Sequence, residues 1–120
     1  MLRIVDVDLF KMSVVIMSGA IQDIRKDASH RCENVRDAVS DMLKIIEQKV
    51  SETEGDTVEG LCGIVKRDVF IYVRDWNWPV FVHELRHATS HIMKSVGAYD
   101  EEVEACLQEH IYRMAQFKVA

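Results

Sequence analysis

One stretch of this sequence constrains the fold more than any other, and it is the amphipathic segment from Arg31 to about Thr53. Its apolar residues recur at steps of three and four positions; they are Val35, Ala38, Val39, Met42, Leu43, Ile46 and Val50. Residues at this spacing lie along one side of a helix, and such an apolar stripe must pack against a core. The segment therefore predicts a long helix over residues 31–53 with one buried face.

Two other regions carry the Val and Ile content and the alternation of apolar and polar residues that are typical of strands. The first is LRIVDVDLFKMSVVIMS, which predicts one or two strands that end near Met17, before a break at Gly19. The second comprises VEGLCGIV and DVFIYVRD, which predict an antiparallel hairpin around a Lys66–Arg67 turn. A short helix is expected between these regions, over residues 20–28.

The C-terminal part of the chain carries helix start and stop signals. Pro79 fits the first turn of a helix that begins just before His83, runs to about Val96 and is closed by Gly97. Asp100 can then cap a last helix. We therefore expect an α+β fold, in which a small antiparallel sheet of about three strands packs on three to four helices.

Length, charge and cysteine content narrow the functional class. The chain has 120 residues and no linker-like segment, which is typical of a single domain spanning 1–120. Its net charge is −5 and its basic residues are scattered among acidic ones, so we expect no nucleic-acid and no membrane partner. No apolar run is long enough to span a bilayer, and three cysteines without a CxxC spacing indicate reduced thiols. These features predict a cytoplasmic protein.

The segment VHELRH places two histidines four residues apart on the predicted helix, with a glutamate beside the first. His83 and His87 then lie about 40° apart around the helix axis and one turn from each other, so both imidazoles can reach one zinc ion. Glu84 lies next to this pair, where a carboxylate can take a proton from a zinc-bound water and pass it to a leaving amine. This HExxH arrangement predicts Zn²⁺ as the cofactor, His83 and His87 as metal ligands and Glu84 as the catalytic base.

The two histidines do not belong to the apolar side of their helix. That side is formed by Phe81, Leu85, Ala88, Ile92 and Val96, which lie roughly opposite the imidazoles. A solvated polar face that contains histidines by chance is the alternative interpretation, and it stays open at this point. His91 continues the same face, but about 80° from His83 around the axis, which places it beside the site or on the surface.

A catalytic zinc site usually has a third protein ligand, which must come from another element. The segment SVGAYD can reverse the chain, and the last helix then offers four carboxylates, at Glu101, Glu102, Glu104 and Glu109. The packed face of that helix is predicted to consist of Val103, Cys106, Leu107, His110, Ile111 and Met114. Glu102 and Glu104 border this face on opposite sides, so the spacing alone does not choose between them. His110 and Tyr112 are either donors that polarise a substrate carbonyl or an ordinary half-buried pair.

Residues 83–111, from HELRH to EEVEACLQEHI, resemble the gluzincin class of HExxH metallopeptidases, in which a downstream helix provides a glutamate ligand. More closely, the chain is similar to small phage-encoded zinc metallopeptidases that combine a short hairpin, an HExxH helix and a final helix opening with DE-x-x-A. The resemblance implies a minimal zincin-like domain in which Glu102 is the third zinc ligand, because Ala105 and Leu107 then follow in phase. Glu104 is the second choice. The resemblance also implies a location in the cytoplasm of the phage host.

The motif and the resemblance together favour a zinc-dependent metallopeptidase that hydrolyses peptide bonds in a peptide or protein substrate. The alternative is a non-proteolytic protein that uses a metal-stabilised zincin scaffold for binding or regulation. A third hypothesis is a metal-free helical interaction protein. In that case the apolar stripe of the 31–53 helix would form the interface of a homodimer. We expect that the enzyme could form the same homodimer.

Overall fold

The computed structural model describes residues 1–53, 58–97 and 100–119. Within these ranges the strands are β1 (Leu2–Val7), β2 (Met12–Ser18), β3 (Gly60–Val65) and β4 (Asp68–Val73). The helices are α1 (Ile21–Ser29), α2 (Glu33–Glu52), α3 (Trp78–Val96) and α4 (Glu101–Val119), and a 3-10 turn, Asp8–Phe10, joins β1 to β2. No helix in these ranges is both long enough and apolar enough to cross a membrane.

The four strands form one sheet in the order β1-β2-β4-β3. β1 pairs with β2 and β3 pairs with β4 in antiparallel fashion, whereas β2 and β4 run parallel, with Val14 opposite Val69. The prediction of an α+β fold with a small sheet packed on helices is confirmed, but the sheet has four strands rather than about three and is mixed rather than antiparallel. The parallel pair forms because α1, α2 and β3 connect β2 to β4, and such a long crossover lets the chain return to the sheet in the same direction.

Helices cover both faces of this sheet. On one face, α1 and α2 pack against strand residues, and Leu43 of α2 belongs to the same buried cluster as Phe70 of β4. On the other face, α3 and α4 do the same, and Phe81 and Ile111 belong to one buried cluster with Ile71. β4 is therefore buried on both sides, which explains its almost unbroken apolar sequence, DVFIYV.

The long amphipathic helix predicted over residues 31–53 is present as α2. Its stripe packs inside the chain: the residues that it buries are Val39, Met42, Leu43 and Ile46. Of the predicted stripe, Val50 is 45% exposed. The homodimer through this helix stays a prediction, although most of the apolar surface that motivated it already lies against the sheet.

Two glycines in β3 allow this strand to lie very close to its neighbours. A Cβ atom added at Gly63 would lie 2.6 Å from Cζ of Phe70, and one added at Gly60 would lie 2.7 Å from Cγ1 of Val80 in α3. Both distances are far below van der Waals contact, so a larger residue would push the strand away. Both glycines weaken β3 as a strand, but they also allow it to pack closely against Phe70 and α3.

α3 begins earlier than predicted, at Trp78 rather than just before His83. Asn77 caps it, because its side-chain oxygen accepts a hydrogen bond from the backbone N–H of Val80 at 3.3 Å. Pro79 lies in the first turn, as predicted. Proline lacks a backbone N–H, but this costs no hydrogen bond in the first turn, where the N–H groups have no acceptor within the helix. The predicted end is confirmed: Gly97, with a φ of 68°, closes the helix in the left-handed conformation.

α4 has the predicted cap but a different packed face. Oδ1 of Asp100 accepts hydrogen bonds from the backbone N–H groups of Glu102 and Val103, at 2.9 and 3.3 Å. The residues that α4 buries are Leu107, Ile111 and Ala115, whereas Val103, Cys106 and His110 are exposed, so the predicted face is wrong for these last three. The buried residues recur every four positions, and they pack in the cluster shared with α3 and the sheet.

Candidate metal centre

His83 and His87 lie side by side on α3, one turn apart. Their ring centroids are 4.9 Å from each other and the ring planes are nearly perpendicular, at 80°. The side chain of His83 is 71% exposed. On the opposite side of the helix, the apolar residues Phe81, Leu85, Ala88 and Ile92 are completely buried, which confirms the predicted stripe except at Val96, which is 36% exposed. The core thus anchors the helix while its outer side presents both imidazoles.

Glu84 occupies a different environment from the two histidines that flank it. It is buried, with only 8% of its surface exposed, at the place where α3 meets the start of β3. Its Oε1 lies 4.0 Å from Nε2 of His83. Burial raises the pKa of the Glu84 carboxyl above its ordinary value, and the neighbouring His83 and His87 partly offset this effect. A desolvated carboxylate next to exposed imidazoles is a suitable proton acceptor.

A cavity of about 380 Å³ adjoins this group of side chains. It lies between the start of β3 and the first turns of α3, and its lining residues are Glu59, Gly60, Pro79, Val80, His83 and Glu84. Glu59 was not predicted from the sequence. In the sequence, Glu59 stands out only as the residue directly before β3. This position indicates a place near His83 only when it is known that β3 packs against α3.

The predicted third ligand does not lie in this cavity. Glu102 is exposed in the first turn of α4, and Glu104, the second choice, is half-buried. Glu104 lines a separate groove of about 550 Å³ between α3 and α4, where Val82, Leu85 and Arg86 form the α3 side. Among the described residues, no three His, Cys, Asp or Glu side chains are grouped so that they could hold a metal ion. Glu102 as a ligand therefore stays a prediction.

The residues present fit a divalent metal ion in two respects. Two neighbouring imidazoles, held on a helix anchored in the core, are donors that suit zinc. A buried carboxylate beside them can serve as a base. The geometry therefore brings together three of the four predicted site residues, His83, Glu84 and His87.

The other candidates from the sequence lie elsewhere. His91 is half-buried further along α3, and His110 is exposed on α4. Tyr112 lines the groove between the two helices, and its ring centroid lies 5.4 Å from that of Trp78. None of the three lines the cavity at His83. The role of His110 or Tyr112 in polarising a carbonyl stays a prediction.

Cys62 provides a test of the packing around Glu84. Burial, with a smaller contribution from the charge of Glu84, raises the pKa of the Cys62 thiol from 9.0 to about 12. Cys32 and Cys106 are exposed. At pH 8 we expect iodoacetamide to modify these two thiols first, because both are exposed, whereas Cys62 is half-buried and its raised pKa leaves very little of its thiol as the reactive thiolate.

Peptide mapping after timed alkylation measures the three rates separately. In urea, where the chain is unfolded, all three cysteines should react at similar rates. A Cys62 that reacted as fast as Cys32 in the native protein would show that β3 does not pack against Glu84 as described.

Comparison of the chain with protein-family models, with curated proteins and with solved structures finds no match. The similarity to small phage-encoded metallopeptidases thus depends on the sequence pattern of residues 83–111 alone, and it stays a prediction.

Proposed function

We propose that this protein is a zinc-dependent metallopeptidase in which His83 and His87 hold the metal ion and Glu84 is the general base. One observation supports the proposal above all: two imidazoles with centroids 4.9 Å apart stand on the outer side of a helix, beside a carboxylate buried at its junction with β3. If this side of α3 were only a solvated polar face, Glu84 would be expected to be exposed, because burial deprives a carboxylate of its hydration.

The residues of the chain have distinct tasks in this proposal. When bound, Zn²⁺ lowers the pKa of water and polarises a carbonyl. Glu84 accepts the proton of the attacking water and then donates it to the departing amine. α3 keeps His83 and His87 at a constant separation, because its opposite side is fixed in the core. The predicted third ligand, Glu102, would have to approach from α4.

Strand β3 is suited to hold an extended peptide. It is an edge strand, and it borders the cavity at His83 and Glu84 through Gly60. The backbone groups on the free side of an edge strand can pair with a peptide that adds as a further strand. A substrate in this position would run past the two imidazoles.

Metal analysis of the purified protein tests the proposal directly. Metal-free protein reloaded with zinc and dialysed should retain about one ion per chain, and His87→Ala should lose most of it, because one imidazole remains. His30→Ala is the matched control, since His30 is exposed at the end of α1 on the other face of the sheet. A wild-type protein that retains no zinc, or a His87→Ala variant that retains as much as wild type, would exclude the metal site.

A second candidate, a metal-stabilised binding or regulatory protein without proteolytic activity, is favoured by the size of the site. The cavity measures only about 380 Å³, at the small end for ligand pockets. Zinc-loaded protein incubated with a broad set of fluorogenic peptides separates the two candidates. Cleavage that stops in the presence of a chelator supports the peptidase, whereas zinc binding without any cleavage supports the binding protein.

A further inference from the structure

We infer that Glu59, at the start of β3, is the third protein ligand of the metal centre, in place of a carboxylate from α4. The inference depends on the proposed metal site at His83 and His87 and names the residue that completes it. Three features carry it: the positions of the two histidines around the α3 axis, the cavity that Glu59 shares with His83, and the α4 carboxylates, which do not line that cavity.

The imidazoles lie closer to the β3 side of α3 than to the α4 side. Val80 and Glu84 mark the side that meets β3. A Cβ atom added at Gly60 would lie 2.7 Å from Cγ1 of Val80 and 3.1 Å from Cγ of Glu84. The mean direction of these two residues is about 60° from the mean direction of His83 and His87 around the helix axis. Val82 and Arg86 mark the side that faces α4, and their mean direction is about 100° from that of the same histidines.

Glu59 lines the same cavity as His83, and its main chain is held in place beside the end of β4. Its carbonyl oxygen accepts a hydrogen bond of 2.9 Å from the backbone N–H of Arg74, which fixes its main chain against β4. Its side chain is exposed, and it lines the same cavity as His83. In the described part of the chain, no ion pair engages its carboxylate. An exposed side chain changes rotamer rapidly, so metal binding can draw it over the cavity.

The carboxylates of α4 do not line the cavity at His83. Glu101, Glu104 and Glu109 line the groove on the Val82 and Arg86 side of α3, and Glu102 lines neither this groove nor the cavity at His83. With Glu59 the site has two nitrogen donors and one oxygen donor, a set that zinc enzymes use with water in the fourth position.

Zinc titration by calorimetry compares the two sources of the third ligand. We expect Glu59→Gln to weaken zinc binding by at least about tenfold, because even outer partners of metal ligands contribute that much. Glu102→Gln and Glu104→Gln should bind zinc like wild type. The melting temperature of metal-free Glu59→Gln should also equal that of wild type, since the side chain is exposed, and this equality excludes unfolding as the cause.

The outcomes separate this inference from the proposed function. If His87→Ala loses zinc but Glu59→Gln does not, Glu59 is not a ligand and the metal site stands. If Glu102→Gln or Glu104→Gln weakens binding and Glu59→Gln does not, the third ligand comes from α4. If wild type binds no zinc, or if His87→Ala binds as tightly as wild type, both proposals are wrong.

Discussion

Replacing Glu84 by glutamine is expected to abolish peptide hydrolysis while zinc binding is retained. Glutamine has the shape of glutamate but cannot accept the proton of the attacking water. A positioned general base contributes roughly 100-fold to 10,000-fold in rate, so kcat/KM should fall by at least about 100-fold. The measurement is kcat/KM of the zinc-loaded variant on whichever peptide the wild-type protein cleaves, with zinc content determined on the same sample.

The fold should tolerate this change well. Since burial raises the pKa of Glu84, the folded protein binds the carboxyl proton more tightly than the unfolded chain does, and at neutral pH the ionised carboxylate therefore opposes folding. Neutral glutamine removes that penalty, so the melting temperature of Glu84→Gln should not decrease. Glu101→Gln, the same chemical change at an exposed position of α4, is the control for activity. Full hydrolysis by Glu84→Gln would exclude Glu84 as the base.

Replacing Phe81 by alanine is expected to produce a large loss of stability. Phe81 is completely buried, and its ring lies 5.1 Å from that of Trp76 and 5.8 Å from that of Trp78, measured between centroids. Truncating a buried phenylalanine costs about 3–5 kcal/mol, out of a total of about 5–15 kcal/mol for a typical domain. Urea denaturation of wild type and variant measures the difference in the free energy of unfolding.

The neighbouring residue provides the control for this experiment. Val82 is 38% exposed on the same turn of α3, so Val82→Ala should change the free energy of unfolding by less than about 1 kcal/mol. A similar small effect for Phe81→Ala would contradict the packing of the aromatic cluster. Because Phe81 lies two residues before His83, a destabilised Phe81→Ala protein should also bind zinc less tightly.

Much of the local structure follows from sequence patterns with a short range. The stripe from Val35 to Val50 predicts α2 to within two residues at its start, because helical periodicity is a property of neighbouring positions. Gly97 and Asp100 predict the boundary between α3 and α4 for the same reason, since capping involves only adjacent backbone groups. The proximity of the His83 and His87 imidazoles also follows from local structure, because residues four positions apart on a helix lie one turn from each other.

Short-range patterns in the sequence therefore predict most of the elements, the apolar sides of α2 and α3, and the short motif at His83, Glu84 and His87. Contacts between distant parts of the chain set the rest: β4 lies parallel to β2, β3 is the edge strand against α3, and Val103, Cys106 and His110 of α4 are exposed. These contacts also bring Glu59, 24 positions before His83 along the chain, to the cavity that His83 lines. The physical reason is that strand order and helix docking depend on contacts between distant residues, whose pairing leaves no periodic signal in either segment alone.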